Sequence, residues 1–140
     1  MIKKISLLCS AICLLAFLSP SVFAVNADDV LGAWQNEKAT QITIYKCVEK
    51  FCGKYIKIPD PERIDKKNKD ASKKGRKVMG ADHIYDLEYD SDGEFEDGKI
   101  YDPDKGKAYD CNIYLKGPDE LYIEGCLSFL CGGTTWTRVK

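Results

Sequence analysis

The stretch Asp28-Asp29-Val30-Leu31-Gly32-Ala33-Trp34-Gln35-Asn36 begins the first of several short segments with β-strand character. A second stretch, Thr134-Thr135-Trp136-Thr137-Arg138-Val139, lies at the far end of the chain, and the two stretches contain the only two tryptophans. A closed antiparallel barrel pairs its first strand with its last, because an unpaired sheet edge invites aggregation. The two stretches therefore predict a barrel that closes between the ends of the domain.

Four residues of these stretches are predicted to form a clasp at the base of the barrel: Gly32, Trp34, Trp136 and Arg138. An arginine on the last strand can lay its guanidinium over a tryptophan of the first strand. Such a cation–π contact contributes about 0.5–2 kcal/mol. The alternative from spacing alone is a pair of core tryptophans beside a solvated arginine.

Between the two stretches, short segments rich in β-branched and aromatic residues alternate with turns that contain Gly, Pro or Asp. No segment has the periodicity of a long amphipathic helix. The chain is therefore predicted to be all-β, a single antiparallel up-and-down barrel of about eight strands with one long basic loop. The candidate strands outside the acidic segment 82–104 are 31–36, 40–47, 52–58, 107–115, 121–126 and 132–139.

The amino terminus has the three parts of a secretory signal peptide. Lys3 and Lys4 precede an apolar run at 5–18, and Val22-Phe23-Ala24 suits cleavage after Ala24. A signal peptide over 1–24 is therefore predicted, with cleavage after Ala27 as the alternative, and 25–140 is predicted to be one domain. The apolar run is shorter than the roughly 20 residues of a membrane span. We expect a periplasmic or secreted protein without a stable membrane anchor after processing.

Charge and residue types exclude several classes of function. Residues 25–140 carry 19 basic and 22 acidic side chains, a near-neutral balance that gives no reason to expect a nucleic-acid partner. His83 is the only histidine, and Gly-x-Ser-x-Gly, phosphate-loop and dinucleotide motifs are absent from the sequence. A nucleophilic pair of Cys111 with His83 is the enzymatic alternative, which an oxidising compartment disfavours. We expect no catalytic residue, no cofactor and no enzymatic activity.

Five cysteines remain after removal of the signal peptide: Cys47, Cys52, Cys111, Cys126 and Cys131. The spacings Cys47-x4-Cys52 and Cys126-x4-Cys131 can each bracket a four-residue hairpin loop, and an exported protein favours oxidation. We predict these two disulfides, each worth about 2 kcal/mol. A four-cysteine zinc site is the alternative, but zinc sites more often use tighter spacing, so no metal is predicted.

Cys111 is predicted to be a buried free thiol. The apolar faces of its hairpin match when Leu115 lies opposite Leu121 and Ile113 opposite Ile123. That register sets Cys111 opposite Gly125, and a slip of one residue would be needed to pair it with Cys126.

Two neighbouring segments have opposite charge. Residues 59–80 contain eight basic and four acidic side chains, whereas 82–104 contains ten acidic side chains and one lysine. A loop as long as 59–80 is usually functional or mobile, so it is predicted to be either a lid on one barrel mouth, with a short helix around Ala71, or a solvated connector.

The acidic Asp90-Ser91-Asp92-Gly93 does not match the ligand pattern of an EF-hand. It predicts a hairpin turn at Asp92-Gly93, and weak calcium binding of another kind is left open.

Short motifs throughout 32–139 resemble one bacterial secreted family, known as domain of unknown function 2147. Gly32, Trp34 and Arg138 also resemble the arrangement of calycins, the lipocalin type of barrel. The resemblance implies a small β-barrel without an established activity. Because Asn68, Arg76 and Gly80 match the family pattern, the basic loop is a candidate binding loop. The other matching pieces are Gly32-Ala33-Trp34, Ile44-Tyr45-Lys46-Cys47, Cys52-Gly53-Lys54, 98–103, Gly106-Lys107, Tyr109, Gly125-Cys126 and 135–139.

The sequence is consistent with two main hypotheses about function. An eight-stranded barrel can hold one small ligand, and the tyrosines would form an amphipathic lining, so binding of a small apolar ligand in the envelope is the first hypothesis. The alternative is a protein-interaction module, an inhibitor or an envelope assembly factor, that acts through the 59–80 loop or the apolar 126–131 tip. A structural envelope protein with a filled core is a weaker third hypothesis. A monomer is expected.

Overall fold

Eight antiparallel strands follow one another around a closed barrel, each paired with its neighbours in the chain, and β8 returns to β1. The computed structural model describes residues 24–140, so the predicted signal peptide, apart from its last residue Ala24, lies outside the described residues. The prediction of an all-β, up-and-down barrel of about eight strands is confirmed. The strands are β1 (Gly32–Gln35), β2 (Gln41–Cys47), β3 (Lys50–Lys57), β4 (Asp82–Tyr89), β5 (Glu94–Asp102), β6 (Lys107–Gly117), β7 (Glu120–Leu127) and β8 (Leu130–Arg138).

The connections define two ends of the barrel. At the closed end, a 3-10 helix (Ala27–Val30) precedes β1, and short turns join β2 to β3, β4 to β5 and β6 to β7. At the open end, the connections are 36–40, 58–81, 103–106 and 128–129, and the long one contains a second 3-10 turn (Ala71–Lys73). No helix in the 24–140 range is long and apolar enough to cross a bilayer.

The β6–β7 hairpin has the register that the alternation of apolar residues predicts. Leu115 pairs with Leu121, Ile113 with Ile123, and Cys111 with Gly125. Cys111 is a free thiol and only 1% exposed. The pattern is decisive here because a shift by one residue would turn every apolar side chain of the strand to solvent.

The two cysteine pairs form disulfides, but the turns they enclose are shorter than predicted. β3 begins at Lys50 and β8 at Leu130, so each hairpin turn has two residues, Val48-Glu49 and Ser128-Phe129. Cys126 faces Cys131 directly, with 4.1 Å between their Cα atoms. Cys47 instead pairs with Lys50 and reaches Cys52 diagonally, over 5.8 Å between Cα atoms. The paired strands extend beyond both cysteines because the ladder hydrogen bonds continue to the turn.

The interior of the barrel is filled from the closed end. Val30 of the 3-10 helix, Trp34, Ile42, Phe95 and Leu121 are all 1% exposed or less. They belong to one cluster of buried side chains that every strand contributes to. Within residues 24–140, the filled part therefore leaves space for a cavity at the open end.

Closure of the barrel depends on a short contact. β1 has four residues and pairs with β8 at only two positions, Trp34 with Arg138 and Gln35 with Thr137. The rest of β8 pairs only with β7. The wall of the barrel is thus incomplete beside β8 toward the open end.

Candidate functional site

A cavity of about 800 Å³ opens at the open end of the barrel. Its size is typical of small-molecule sites, which are roughly 300–1,000 Å³. Three of the predicted lining tyrosines are present, Tyr55, Tyr101 and Tyr109, and the rim carries the charged residues Asp60, Arg63, Asp102, Asp104 and Lys105. The apolar part of the lining consists of Ile58, Val78, Ile100, Ile123, Leu127, Leu130 and Trp136.

Two paired glycines leave one position in the β7–β8 wall of this cavity without side chains. Gly125 of β7 pairs with Gly132 of β8. A Cβ atom added at Gly132 would meet no atom within 4 Å, whereas one added at Gly125 would lie 3.1 Å from Cγ2 of Ile100. The space that two ordinary residues would fill at this position is therefore part of the cavity.

A bulge in β4 places His83 against the cavity. Gly53 pairs with Ile84, but the next residue of β3, Lys54, pairs with Asp82, so His83 is the extra residue between them. Such bulges re-aim a side chain. The imidazole is 9% exposed and packs against the ring of Tyr55, with 4.3 Å between ring centroids and 37° between the ring planes. From the sequence, His83 was considered only as a catalytic partner of Cys111, and its place at a ligand cavity was missed; its one signal was that it is the only histidine.

His83 and Tyr55 form a neutral polar pair. Burial lowers the pKa of His83 to about 4, against the weaker opposing influence of the Tyr101 carbonyl and the Asp102 carboxylate. Burial, with the negative charge of Asp102, raises the pKa of the Tyr55 hydroxyl. Nε2 of His83 lies 3.3 Å from that hydroxyl, and Nδ1 has no hydrogen-bond partner in the described part of the chain. Near neutral pH, the pair offers hydrogen bonds and no charge.

Cys111 lacks the properties of a nucleophile. Burial, together with the nearby Glu124 carboxylate, raises the pKa of its thiol to about 12. A reactive cysteine needs the opposite, a lowered pKa and access to solvent. The thiol therefore serves as a small apolar group of the core.

The residues of the predicted clasp lie in two places. The guanidinium carbon of Arg138 is 4.1 Å from the centroid of the Trp34 ring. Gly32 has a φ of +113°, and a Cβ atom there would lie 3.3 Å from Nη1 of Arg138. Trp136, by contrast, lies at the floor of the cavity, and its indole nitrogen donates to the Thr134 hydroxyl over 2.9 Å. The two tryptophans thus mark the base of the barrel and the base of the cavity.

The predicted binding-loop residues hold the 58–81 connection in place. Asp65, 1% exposed, accepts hydrogen bonds from Nδ2 of Asn68 over 2.7 Å, Nε of Arg76 over 3.1 Å and the Tyr101 hydroxyl over 2.7 Å. Burial raises the pKa of Asp65, but these three hydrogen bonds outweigh it, so the net shift is downward. Gly80 adopts a φ of +77°, and its amide donates to the Tyr55 carbonyl over 2.9 Å.

The same connection is latched to the neighbouring 103–106 turn. Arg63 forms an ion pair with Asp104 over 2.6 Å, and Nζ of Lys67 donates to the Asp104 carbonyl over 2.7 Å. A Cβ atom at Gly106 would lie 1.9 Å from the Lys67 carbonyl oxygen, so only glycine allows this approach. The connection is therefore a docked part of the cavity rim and supplies Asp60, Arg63 and Val78 to the lining.

Two groups of potential metal ligands occur within 24–140. One consists of Glu124 with the disulfide-bonded Cys126 and Cys131, and the other of the exposed Asp90, Glu94 and Glu96. Sulfurs joined in a disulfide are not thiolate ligands, and exposed acidic groups occur commonly without an ion. Neither group contributes to the cavity lining.

Comparison with known proteins agrees with this architecture. The family model DUF2147, described as an uncharacterized protein conserved in bacteria, matches residues 32–138. No curated protein matches the sequence significantly. Among solved structures, the chain is similar to protein HP1028 from Helicobacter pylori, described as belonging to the lipocalin family, with a TM-score of 0.73 and 20% sequence identity over 79% of this chain and 83% of that one. The chain therefore belongs to the bacterial family DUF2147, and its barrel has the lipocalin-like fold.

Proposed function

We propose that this protein binds one small, largely apolar and uncharged molecule in the cavity at the open end. The observation that carries the proposal is the lining of the cavity, which is mostly aliphatic and aromatic and includes the neutral pair of His83 and Tyr55. Burial of apolar surface favours such a ligand by about 25 cal/mol per Å². The hydroxyl of Tyr55 would select a ligand with one neutral polar group.

The charges at the rim argue against an anionic ligand. Arg63 is neutralised by Asp104, and the other acidic residues of the lining, Asp60 and Asp102, outnumber the remaining cation, Lys105. Inside the cavity, burial keeps His83 neutral. An anionic ligand would lose its hydration without gaining an opposite charge.

We infer binding rather than catalysis. A neutral buried histidine and a thiol with a pKa of about 12 supply neither a general base in its working range nor an activated nucleophile. The two disulfides fit an oxidising compartment, which supports export of the mature 25–140 domain to the periplasm or the exterior.

The proposal is tested by filling the cavity at Gly132. Gly132→Phe places a ring where no atom lies within 4 Å of the new Cβ, so the barrel should still fold. The neutral dye N-phenyl-1-naphthylamine should bind the exported protein and lose its affinity about tenfold or more in this variant. Gly117→Phe, at the closed end and equally free of neighbours, is the matched control. Equal dye binding by both variants would refute the cavity as the site.

A second measurement reports the location and the natural ligand. Trp136 lines the cavity floor, whereas Trp34 is fully buried at the base. Dye-dependent quenching should therefore disappear in Trp136→Phe and persist in Trp34→Phe. Native mass spectrometry of the exported protein should also reveal any molecule retained from the host.

A further inference from the structure

The β7–β8 turn exposes three large apolar side chains beside the cavity. Leu127, Phe129 and Leu130 are 66%, 87% and 65% exposed. The Cys126–Cys131 disulfide spans the turn immediately behind them, and Leu127 and Leu130 also line the cavity. Two-residue hairpin turns usually carry polar residues, so an apolar tip at this position calls for an apolar environment outside the protein. We name residues 127–130 the apolar tip.

Charge is segregated along the barrel axis. The connections of the open end, 36–40, 58–81, 103–106 and 128–129, contain ten basic and six acidic side chains. The termini and turns of the closed end, 24–31, 48–49, 90–93, 118–119 and 139–140, contain one basic and six acidic side chains. The electric field of this charge distribution orients the basic open end toward a negatively charged surface.

Part of the positive charge at the open end is free to act on a partner. Lys66, Lys69 and Lys74 are exposed and form no salt bridge with any residue of 24–140. They lie on the docked 58–81 connection, which joins β3 to β4, whereas the apolar tip joins β7 to β8. In the order of strands around the barrel, the two features stand on opposite sides of the same mouth.

We propose that the open end docks on the surface of an anionic phospholipid bilayer. The apolar tip inserts into the interface between headgroups and acyl chains, and Lys66, Lys69 and Lys74 contact the headgroups. Apolar insertion beside a basic patch is the combination that gives reversible binding to such surfaces. The inference goes beyond the cavity ligand and holds whether or not a ligand is bound.

Docking by the open end would also affect how a ligand enters and leaves the cavity, a consequence that rests on the proposed function. Docking by the open end would set the mouth of the cavity against the bilayer, since Leu127 and Leu130 belong to both the apolar tip and the lining. An apolar molecule could then pass between membrane and cavity without crossing bulk water.

The β2–β3 turn at the closed end also exposes an apolar side chain and serves as the control for the apolar tip. Val48 is 96% exposed in a two-residue turn that is also linked by a disulfide, Cys47–Cys52. Its neighbour in the turn is Glu49, and the surrounding connections are acidic. The bilayer should therefore repel this end, and Val48→Ser should leave membrane binding unchanged.

The test is flotation of the exported, disulfide-bonded protein with vesicles of about one third phosphatidylglycerol in phosphatidylcholine. Binding should exceed that to pure phosphatidylcholine and should fall at higher salt. Phe129→Ser, at the one large apolar residue of the tip that does not line the cavity, should weaken it about tenfold. Lys66→Glu, Lys69→Glu and Lys74→Glu combined should weaken it at least as much. The closed-end triple variant, Lys46→Glu, Lys116→Glu and Lys140→Glu, has the same net charge and should bind like the wild type.

Three results would overturn the inference. They are absence of binding to the anionic vesicles, equal loss of binding in the two triple variants, and unchanged binding in the tip variant. If the tip variant instead loses an envelope protein while vesicle binding persists, the apolar tip is a protein interface. Dye binding in the cavity, measured on the same variants, should persist and keeps this test separate from that of the proposed function.

Discussion

The guanidinium of Arg138 lies over the indole of Trp34 and at the same time binds the backbone of the 3-10 helix. Nη1 donates to the Leu31 carbonyl over 2.9 Å, and Nη2 donates to the Asp29 carbonyl over 2.5 Å. The carbonyl of Val30, between them, accepts from the indole nitrogen of Trp34 over 2.8 Å. One arginine and one tryptophan thus satisfy three consecutive carbonyls and join the last strand to the segment that closes the base.

Arg138→Ala should destabilise the barrel by about 3 kcal/mol, because it removes a cation–π contact and leaves partly buried carbonyls without donors. The melting temperature, measured by circular dichroism, should fall on the order of 10 °C. Lys140→Ala, on the exposed carboxyl-terminal residue, should change it little. An unchanged melting temperature in Arg138→Ala would show that the contact does not hold the barrel closed.

His83 should make stability depend on pH between about 4 and 6.5. Its pKa is about 4 in the folded protein and near 6.5 when unfolded, so the unfolded chain binds the proton more tightly in this range. The contribution is complete above pH 6.5 and is lost as pH falls through 4, and it amounts to about 3 kcal/mol. Urea unfolding at several pH values measures it.

His83→Phe is the control for that pH dependence. Because His83 is the only histidine, the variant should keep a nearly constant free energy of unfolding from pH 6.5 down to about 5. The phenylalanine ring can retain the packing against Tyr55. An equally steep fall in the variant would contradict the assignment to His83.

Asp65 should decide whether the 58–81 connection stays docked. Asp65→Ala removes the acceptor shared by Asn68, Arg76 and Tyr101, so trypsin should cleave at the lysines of this connection about tenfold faster than in the wild type. Asp70→Ala, which removes an exposed cap of the second 3-10 turn and its contact with Lys73, is the control. Equal cleavage rates in the two variants would mean that Asp65 does not anchor the connection.

The pKa of the Asp65 carboxylate predicts how acidic the solution must be before the 58–81 connection detaches from the barrel. The pKa of Asp65 lies below its ordinary value of 3.8, so its contribution is present above that value and is lost as pH falls through the lowered one. Pepsin cleavage of the connection should therefore stay slow at pH 4 and rise only in stronger acid. Rapid cleavage already at pH 4 would contradict the lowered pKa.

The Cys111 thiol should be unreactive toward thiol reagents in the folded protein. The side chain is 1% exposed, and burial raises its pKa to about 12, so Ellman's reagent should label the native exported protein far more slowly than the unfolded one. In urea, without reductant, one thiol per chain should react if the signal peptide has been removed. Fast labelling of the native protein would place the thiol at the surface, and three reactive thiols would indicate that Cys9 and Cys13 are retained.

Several features were predictable because they depend on local rules. The alternation in 107–126 has a period of two residues, so it sets both the register of β6–β7 and the burial of Cys111. The spacing of Cys126 and Cys131 matches a hairpin turn. The place where the barrel closes was predicted from Gly32 and Trp34 near one end of the domain and Arg138 near the other.

The position of His83 was not predictable from alternation. A single inserted residue in β4 shifts the pairing between Gly53 and Lys54, and a bulge of this kind reverses which face a side chain occupies. Likewise, Asn68 and Arg76 share an acceptor, Asp65, that no sequence motif marked. The roles of Asn68 and Arg76 as anchors of the connection follow from the contact with Tyr101, 36 residues from Asp65 along the chain.

The sequence by itself determined that this chain is a small antiparallel barrel, because strand periodicity, turn residues and cysteine spacing act over a few neighbouring positions. Only the tertiary structure decided that the barrel is filled at one end and hollow at the other. Gly125 and Gly132 create space only because closure sets them side by side, and the basic connection and the apolar tip share a rim only because of strand order. Such features depend on contacts between residues far apart in the chain, which local patterns do not encode.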